Sequence, residues 1–282
     1  DAAAAADLGL EAGTPVSYRA GDQPNNAFSL NVLDPGEVAA TGGTSGVVYG
    51  VTDVPRPDRF SRVNTFLHVN HEPRRPRYGV LLCINGTGIL NAWVKKTTVP
   101  DMSYPEVNRR CAEIPVGSEG VLMLPFGNGA ERMLGNRYTG AEAIGLDLNR
   151  HDRFHLLRAA QEGIAFAFRY GMDVMRETGL RLRVIRAGYA NLFLSPVFRQ
   201  TLATLCGADI ELYNTDGALG AARGAALGAG LYASREETFA SLRKIDEVRP
   251  DPADRDVLER GYARWKAELE NRLGRASHGT SV

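Results

Sequence analysis

The pattern of apolar and polar residues predicts two kinds of structure along this chain. From residue 14 to about residue 125, apolar residues alternate with polar ones over short runs, which is typical of β-strands. Residues 36–41 and 47–51 flank a glycine-rich turn, so these two runs should form a hairpin. We predict strands at 14–20, 36–41, 47–51, 64–70, 78–85 and 120–124, with a short helix at 90–96.

Beyond residue 150 the apolar residues recur at the spacing of a helix. The longest such segment, 154–178, carries its apolar residues at Leu157, Ile164, Phe168, Met172 and Met175. The following segments alternate between strands and helices, and the last of them is strongly charged. They are strands at 181–186 and 209–213 and helices at 195–206, 218–233 and 254–273. This order predicts an α/β fold in which helices flank a mixed sheet.

Small residues cover almost every face of the segment 220–230, which lies inside the predicted helix 218–233. A helix without bulky side chains can approach another element very closely. We therefore interpret the glycines of this segment as structural.

Charge and cysteine content exclude several classes of function. Lys plus Arg and Asp plus Glu both count 33 in the 282 residues, so no basic surface is expected for nucleic acid or an acidic membrane. No apolar stretch reaches the roughly 18 residues of a membrane span. Three widely spaced cysteines suggest no zinc site, and Cys83 and Cys206 lie in apolar runs as expected for reduced core residues. This usage fits a cytoplasmic protein.

Asp22 is the first candidate for chemistry. It follows Gly21 at the end of the predicted strand 14–20 and precedes a predicted helix. A carboxylate in such a place can point into a cleft and accept the proton of an attacking hydroxyl group during phosphoryl transfer. The alternative is a helix N-cap, because Pro24 two residues later suits the start of a helix. The local sequence leaves both interpretations open.

Two glycine-containing turns are candidates for nucleotide binding. In 42–46, glycine permits positive φ, so backbone N–H groups could converge on a phosphate beside the hydroxyl groups of Thr44 and Ser45. An ordinary hairpin turn would have the same composition. In 187–191, a strand runs through small residues to Asn191, which could hydrogen-bond a nucleotide or merely cap a helix.

Weaker candidates follow. The turn 86–88 leads to Asn91 and Trp93 and could flank a nucleotide, although a strand-to-helix turn with a core tryptophan is the favoured interpretation. Residues 126–132 mix flexible and charged residues, as an active-site rim or a surface loop would. The histidines show neither metal-ligand spacing nor a Ser-His-Asp arrangement, and we expect His68 and His71 to support strand and turn structure.

Taken in order, these segments resemble the carboxy-terminal domain of the FGGY carbohydrate kinases, with the greatest likeness to its xylulokinases. The resemblance runs from about residue 12 to residue 235. Its motifs are 21–23, 43–46, 127–132, 187–191 and 216–222. It implies an actin-like, ribonuclease-H-like ATPase fold. It also implies transfer of the γ-phosphate of ATP, with Mg²⁺, to D-xylulose, or alternatively to ribulose, gluconate or glycerol.

The resemblance also implies roles for individual residues. Asp22 matches the catalytic base, and Gln23 matches its sugar-contacting neighbour. The residues that match nucleotide-contacting positions are Gly43, Thr44, Gly88, Ala187, Gly188 and Asn191. The chain departs from the family at Ala187, where paired glycines are usual, and at Ala92, where some relatives carry a polar side chain. No residue is matched to a metal.

The resemblance implies a division of the chain into three parts. Residues 1–12 would be a helix end and linker from an amino-terminal domain, 13–240 the nucleotide-binding domain, and 241–282 a charged helix with a polar tail. That amino-terminal domain supplies an Asp-x-Gly-Thr turn and most sugar contacts in the family. We therefore expect this chain to fold but to be inactive alone, and its bare cleft face to favour self-association, for example as a homodimer. A non-catalytic actin-like nucleotide-binding module is the alternative, and it would not need Asp22.

Overall fold

A computed structural model describes residues 1–278 of the protein. Its main sheet has seven strands in the order β3-β4-β2-β1-β7-β8-β9, and β5 and β6 form a separate antiparallel pair. β1, β7 and β8 run parallel, whereas the other neighbours are antiparallel. The strands are β1 Glu37–Gly42, β2 Gly46–Thr52, β3 Asn64–Leu67, β4 Tyr78–Ile84, β5 Leu122–Phe126, β6 Gly140–Ile144, β7 Val184–Gly188, β8 Asp209–Tyr213 and β9 Lys244–Val248.

Nine α-helices accompany these strands within residues 1–278, together with three short 3-10 segments at Ser118–Gly120, Arg132–Leu134 and Asn191–Leu194. The helices are α1 Ala2–Leu8, α2 Asp22–Ser29, α3 Gly88–Thr98, α4 Tyr104–Glu113, α5 Arg153–Glu177, α6 Pro196–Cys206, α7 Gly217–Gly228, α8 Arg235–Thr238 and α9 Arg255–His278. The hairpin of β1 and β2 and the long helix α5 confirm two of the clearest sequence predictions.

Helices cover both faces of the main sheet. On one face, Ala27 and Leu30 of α2 pack against Tyr49 of β2 in one buried cluster. On the other face, Val48 and Leu82 share the main buried cluster with α5 and α6. Side chains alternate across a strand, so neighbouring residues of β2 serve opposite faces. The predicted α/β fold, a mixed sheet flanked by helices, is confirmed.

The charged helix α9 is tied into the main core. Trp265 of this helix is fully buried in the main core, and its indole N–H donates a hydrogen bond of 2.9 Å to the carbonyl oxygen of Met123 in β5. α9 also continues beyond residue 273, where the predicted helix ended. The last residues of the predicted polar tail, 279–282, lie outside the described part. The three-part division of the chain remains a prediction.

Close packing between α2 and α7 explains the small residues of α7. A Cβ added to Gly220 would lie 2.0 Å from the carbonyl oxygen of Asn25, and one at Gly228 would lie 2.2 Å from that of Ser17. Contacts this short are impossible for a real side chain, so these glycines are structural, as predicted. α7 ends at Gly228, five residues before the predicted end at 233.

The predicted strand 14–20 is wrong. The segment carries no strand and instead crosses α7, where the Ser17 hydroxyl donates a hydrogen bond of 2.8 Å to the carbonyl oxygen of Ala225. Ser17 and Tyr18 are both half-buried and Val16 is 87% exposed, so the alternation of apolar and polar residues does not match the burial of this segment. Asp22 therefore follows an extended connection, not a strand end.

Other predicted elements need smaller corrections. β3 ends at Leu67 instead of residue 70, and β7 begins at Val184 instead of residue 181. Four elements were not predicted at all: α4, β6, α8 and β9. Cys83 and Trp93 were expected in the core, but both are exposed, Trp93 by 63%.

Candidate nucleotide-binding site

The parallel strands β1 and β7 both lead into turns at one edge of the sheet. β1 continues into 43–45, which closes the hairpin to β2, and β7 continues into 189–191. Ligands in sheets of this kind bind at the carboxyl ends of the parallel strands. The two turns that the sequence singled out therefore lie side by side at the favoured edge.

The hairpin turn 43–45 holds the start of α3. The N–H groups of Gly88 and Ile89 donate hydrogen bonds of 3.0 and 3.1 Å to the carbonyl oxygens of Gly43 and Thr44. The buried hydroxyl of Thr87 lies 3.3 and 3.1 Å from the same two oxygens. Within residues 1–278, the N–H groups of 43–45 have no acceptor. Donors without partners at a rigid turn are suited to a phosphate group.

A cleft of about 450 Å³ opens between this turn, α3, α4 and the segment Asn191–Leu194. Of the six predicted nucleotide contacts, Gly43, Thr44, Gly88 and Asn191 line it. Ala187 is fully buried in β7, and neither it nor Gly188 is part of the lining. The fold thus brings together four residues from three segments that are far apart in sequence.

The glycines of the hairpin do not adopt the predicted positive φ. A Cβ at Gly42 would lie 2.9 Å from Cβ of Leu192, and one at Gly46 would lie 2.6 Å from the ring of Phe168. These two positions exclude side chains because of packing. A Cβ at Gly43 would approach nothing closer than 3.6 Å, so neither packing nor backbone strain within the described chain requires glycine there.

In the turn after β7 the left-handed conformation lies at Asn191 and not at the glycine. Gly188 does not have positive φ, and a Cβ there would lie 3.1 Å from the carbonyl oxygen of Thr215. Asn191 takes the left-handed conformation instead, with φ of 54°. The side chain of Ser195, not that of Asn191, caps the following helix α6, so the capping alternative for Asn191 is wrong.

Asp22 is the first residue of α2, and Gly21 occupies the N-cap position. The N-cap alternative for Asp22 is therefore wrong. Its exposed carboxylate accepts hydrogen bonds of 2.9 Å from the Gln23 backbone N–H and 3.1 Å from Nε2 of Gln23. Oε1 of Gln23 has no partner in the described part of the chain. The two predicted sugar-side residues thus form one unit.

Asp22 lies near the end of β4. Burial raises the pKa of the Cys83 thiol, Arg132 lowers it, and the carboxylates of Asp22 and Glu131 add to the increase. Because side chains alternate along β4, Cys83 shares a face with Leu81, which packs against the α2 cluster. Asp22 and Gln23 do not line the nucleotide cleft. They lie at the same edge of the sheet, on the face that α2 covers.

The segment 126–132 contains a buried carboxylate that holds it against the turn before α3. Glu131 is fully buried and accepts hydrogen bonds of 3.0 and 2.9 Å from the N–H groups of Asn85 and Gly86. Burial raises the pKa of Glu131, while these two N–H groups lower it. The carboxylate therefore fixes the turn that leads into α3, a role that the sequence did not reveal.

Sequence reasoning also missed the contribution of α4 to the cleft. Tyr104 and Asn108 of this helix line the cavity, and Asn108 contacts the buried Gln161 of α5. Ser103 at the N-cap and proline in the first turn were signals for this helix. No comparable signal marks Gln161, which looks like any polar position of a long helix.

The described residues do not build a metal centre. Among 1–278 there is no group of three or more His, Cys, Asp or Glu side chains that could hold an ion. Mg²⁺ in phosphoryl-transfer sites usually rests on one or two carboxylates together with phosphate oxygens. Both carboxylate oxygens of Asp22 already accept hydrogen bonds from Gln23. No described residue is therefore assigned as a Mg²⁺ ligand.

Comparison with known proteins agrees with this architecture. Residues 38–233 match the FGGY family of carbohydrate kinases, C-terminal domain. The chain belongs to the FGGY family. A xylulose kinase from Bacillus subtilis is 30% identical over 237 residues, which are 83% of this chain and 46% of that protein. An L-xylulose/3-keto-L-gulonate kinase from Escherichia coli is 29% identical over 275 residues, 93% of this chain and 51% of that protein.

The fold of this FGGY domain is similar to that of a solved xylulose kinase from Rhodospirillum rubrum. The TM-score is 0.85 at 27% identity, covering 99% of this chain and 55% of the other. The actin-like fold expected from the resemblance is confirmed. The chain spans about half the length of the curated relatives it matches. None of the helices in its described part combines the length and apolar character that a bilayer crossing requires.

Proposed function

We propose that this chain forms the nucleotide side of an ATP-dependent kinase that phosphorylates D-xylulose to D-xylulose 5-phosphate. The observation that supports this most directly is the cleft in which Gly43, Thr44, Gly88 and Asn191 meet. Its hairpin turn offers backbone donors without partners in the described residues, as a phosphate group requires. The absence of a side chain at Gly43 leaves room for that phosphate. Packing against the described chain does not require glycine at this position, which favours a ligand as the reason for it.

In this proposal Asp22 is the catalytic base and Gln23 its partner. The hydrogen bond from Nε2 of Gln23 fixes one carboxylate oxygen of Asp22. Oε1 of Gln23 could then accept a hydrogen bond from a sugar hydroxyl, which would place the hydroxyl beside the carboxylate. In the loose transition state of phosphoryl transfer, Asp22 would take the hydroxyl proton late, as the new bond to phosphorus forms.

D-xylulose is proposed because two of the relatives reported above are named xylulose kinases. Another relative is named for L-xylulose and 3-keto-L-gulonate, so the family match alone does not select one sugar. The natural polypeptide that carries these 282 residues should be assayed for sugar-dependent ADP release with D-xylulose, ribulose, gluconate and glycerol. The proposal is supported if kcat/KM is highest with D-xylulose. If kcat/KM is higher with another sugar, that sugar becomes the proposed substrate.

A control separates catalysis from binding alone. Displacement of a fluorescent ATP analogue by ATP reports the cleft without any sugar. If the natural polypeptide binds ATP but releases no ADP with each of the four sugars, the result would favour a non-catalytic nucleotide-binding module. The absence of ATP binding would contradict the assignment of the cleft itself.

A further inference from the structure

A second cavity, of about 330 Å³, lies on the face of the main sheet that α2 covers. It opens between the carboxyl ends of α2 and α7, the short helix α8 and the loop 68–77 that joins β3 to β4. It shares no lining residue with the nucleotide cleft. Asp22 begins α2 and Phe28 lies near its end, roughly 9 Å away along the helix axis at about 1.5 Å per residue. The cavity is therefore separate from both parts of the proposed kinase site, and its volume falls within the range of about 300–1,000 Å³ that is typical of small-molecule sites.

Three aromatic rings line this cavity, from Tyr18, Phe28 and Phe239. The ring centroids of Tyr18 and Phe28 lie 5.9 Å apart with an angle of 34° between the planes, and those of Phe28 and Phe239 lie 5.2 Å apart at 61°. Because the rings are tilted against one another, they do not form a parallel-sided slot for a flat aromatic ligand. A saturated ring or chain can instead pack its C–H groups on a single ring face.

Two residues of the lining carry buried polar atoms without a partner among residues 1–278. Nδ2 of Asn70 donates a hydrogen bond of 3.0 Å to the carbonyl oxygen of Leu33, which fixes the orientation of the amide, and Oδ1 then has no donor. The hydroxyl group of Tyr18 also has no partner. Burial raises the pKa of Tyr18 to about 12, so this hydroxyl group stays protonated at neutral pH. Buried polar groups without partners are costly, so a ligand that supplies hydroxyl groups would be favoured here.

The charged residues at the rim favour a neutral ligand. Arg75 and Arg235 line the cavity, but both already pair with Asp34, at 3.0 and 2.8 Å. Glu72 lines the same rim and has no ion pair in the described part of the chain. An anionic ligand would compete with Asp34 for the arginines and would face Glu72, whereas a cationic ligand would face both arginines.

We propose that this cavity is a second ligand site, which binds a neutral monosaccharide or polyol. The C–H groups of the ligand would pack on the rings of Tyr18 and Phe28. Its hydroxyl groups would donate to Oδ1 of Asn70, share a hydrogen bond with the Tyr18 hydroxyl and donate to Glu72 at the rim. This site does not depend on the proposed kinase activity, because none of its residues belongs to the nucleotide cleft or to the pair of Asp22 and Gln23.

The test is a titration of the 282-residue chain with D-xylose as the probe, followed by saturation-transfer NMR on the C–H protons of the sugar. We expect a dissociation constant of about 10 mM or lower, as is usual for so small a neutral ligand. Tyr18→Phe removes only the hydroxyl group and should raise this constant at least about threefold. It should not lower the urea midpoint of the free chain, because the hydroxyl group has no partner to lose. Tyr138→Phe, at an exposed tyrosine outside the lining, is the matched control and should leave the constant unchanged.

A second pair of variants keeps the test decisive if Tyr18→Phe folds poorly. Leu227→Trp fills the mouth of the cavity and should abolish the saturation transfer, whereas Leu231→Trp makes the same change outside the lining and should not. Gln23→Ala separates the cavity from the proposed substrate site. Loss of D-xylose binding in Gln23→Ala but not in Leu227→Trp would place the sugar beside Asp22 and overturn the inference. It is also overturned if the wild-type chain binds no D-xylose at about 100 mM, or if calorimetry shows that adenosine or inorganic phosphate binds more tightly and is lost in Leu227→Trp.

Discussion

The carbonyl oxygen of Gly43 accepts a hydrogen bond of 3.0 Å from the N–H group of Gly88. This contact joins the hairpin turn to the first residue of α3, and it is possible only because Gly88 lacks a side chain. A Cβ at Gly88 would lie 2.2 Å from that carbonyl oxygen, whereas a Cβ at Gly43 would have no neighbour within 3.5 Å. Packing therefore requires glycine at position 88, whereas at Gly43 we propose that the missing side chain gives a ligand access to the turn.

The first prediction separates these purposes. Gly88→Ala should destabilise the protein by about 1–3 kcal/mol, because backbone must move to admit the methyl group. Gly43→Val should leave stability within about 0.5 kcal/mol but weaken ATP binding at least about tenfold, since the branched side chain occupies the cleft. Urea unfolding and displacement of the fluorescent analogue measure the two effects. Gly43→Ala is the matched control, and equal destabilisation by Gly43→Val and Gly88→Ala would refute the distinction.

The second prediction concerns the proposed base. Asp22→Asn keeps the shape of the side chain but removes the proton acceptor, so kcat for D-xylulose should fall by about 10²–10⁴ in the natural polypeptide. ATP affinity should change little, because Asp22 does not line the cleft. Asp256→Asn, in the first turn of α9, makes the same change at another exposed helix start and should leave kcat unaltered. Turnover within threefold of wild type would remove Asp22 from the mechanism.

Much of the sheet could be predicted from sequence because its strands carry local signals. The hairpin of β1 and β2 has alternating strands and a glycine turn, and both lie within 16 residues. Segment 14–20 alternates in the same way, yet it crosses α7 instead of joining the sheet. Alternation alone therefore does not show that a segment joins a sheet, since the apolar Val16 of this segment is 87% exposed.

The cleft was predicted only in part, because its lining comes from segments that sequence cannot place together. Asn191 and the hairpin turn showed turn chemistry of their own, so they could be proposed separately. Asn108 lies on a short polar helix that we did not predict, and Gln161 gains its contacts only from its tertiary neighbours. Glu131 likewise acts through two backbone N–H groups that lie 45 or more positions away.

The third prediction concerns pH and the buried His68. Its Nδ1 accepts the Tyr49 hydroxyl at 3.0 Å and its Nε2–H donates to the carbonyl oxygen of Val32 at 3.0 Å, which is the neutral tautomer. Burial lowers the pKa of His68 from 6.5 to about 4, and the positive charge of Arg77 adds to this effect, whereas Asp34 and the Val32 contact oppose it. The folded state therefore binds this proton less readily than the unfolded state.

The sign of the effect follows directly. His68 stabilises the fold fully above pH 6.5, and its contribution decreases as the pH falls towards 4. Between pH 7.5 and pH 5 the loss should be about 2 kcal/mol, at roughly 1.4 kcal/mol per pH unit. Urea unfolding at the two pH values should show this loss in wild type and not in His68→Gln. Equal losses in both proteins would mean that His68 titrates normally in the folded state.

The fourth prediction concerns the 282-residue chain as an isolated polypeptide. We expect it to fold cooperatively, because α9 and the main sheet share one buried core, and to bind ATP through the cleft. We also expect it to turn over D-xylulose at least about 100-fold more slowly than the 1–100 s⁻¹ that is usual for kinases. Phosphoryl transfer requires positioning of both substrates and neutralisation of phosphate charge from more than one side.

The described residues offer one side of such a site. Asp22 and Gln23 are exposed or half-buried, and no group of three or more metal-binding side chains lies among residues 1–278. The relatives named as kinases are about twice as long as the region they share with this chain. A coupled ADP-release assay with D-xylulose, ATP and Mg²⁺ measures the turnover, and displacement of the fluorescent ATP analogue confirms that the same preparation binds nucleotide. Sugar-dependent turnover of 1 s⁻¹ or more would show that these 282 residues suffice for catalysis. Asp22 and the cleft would then position the sugar and ATP without any further part of a kinase.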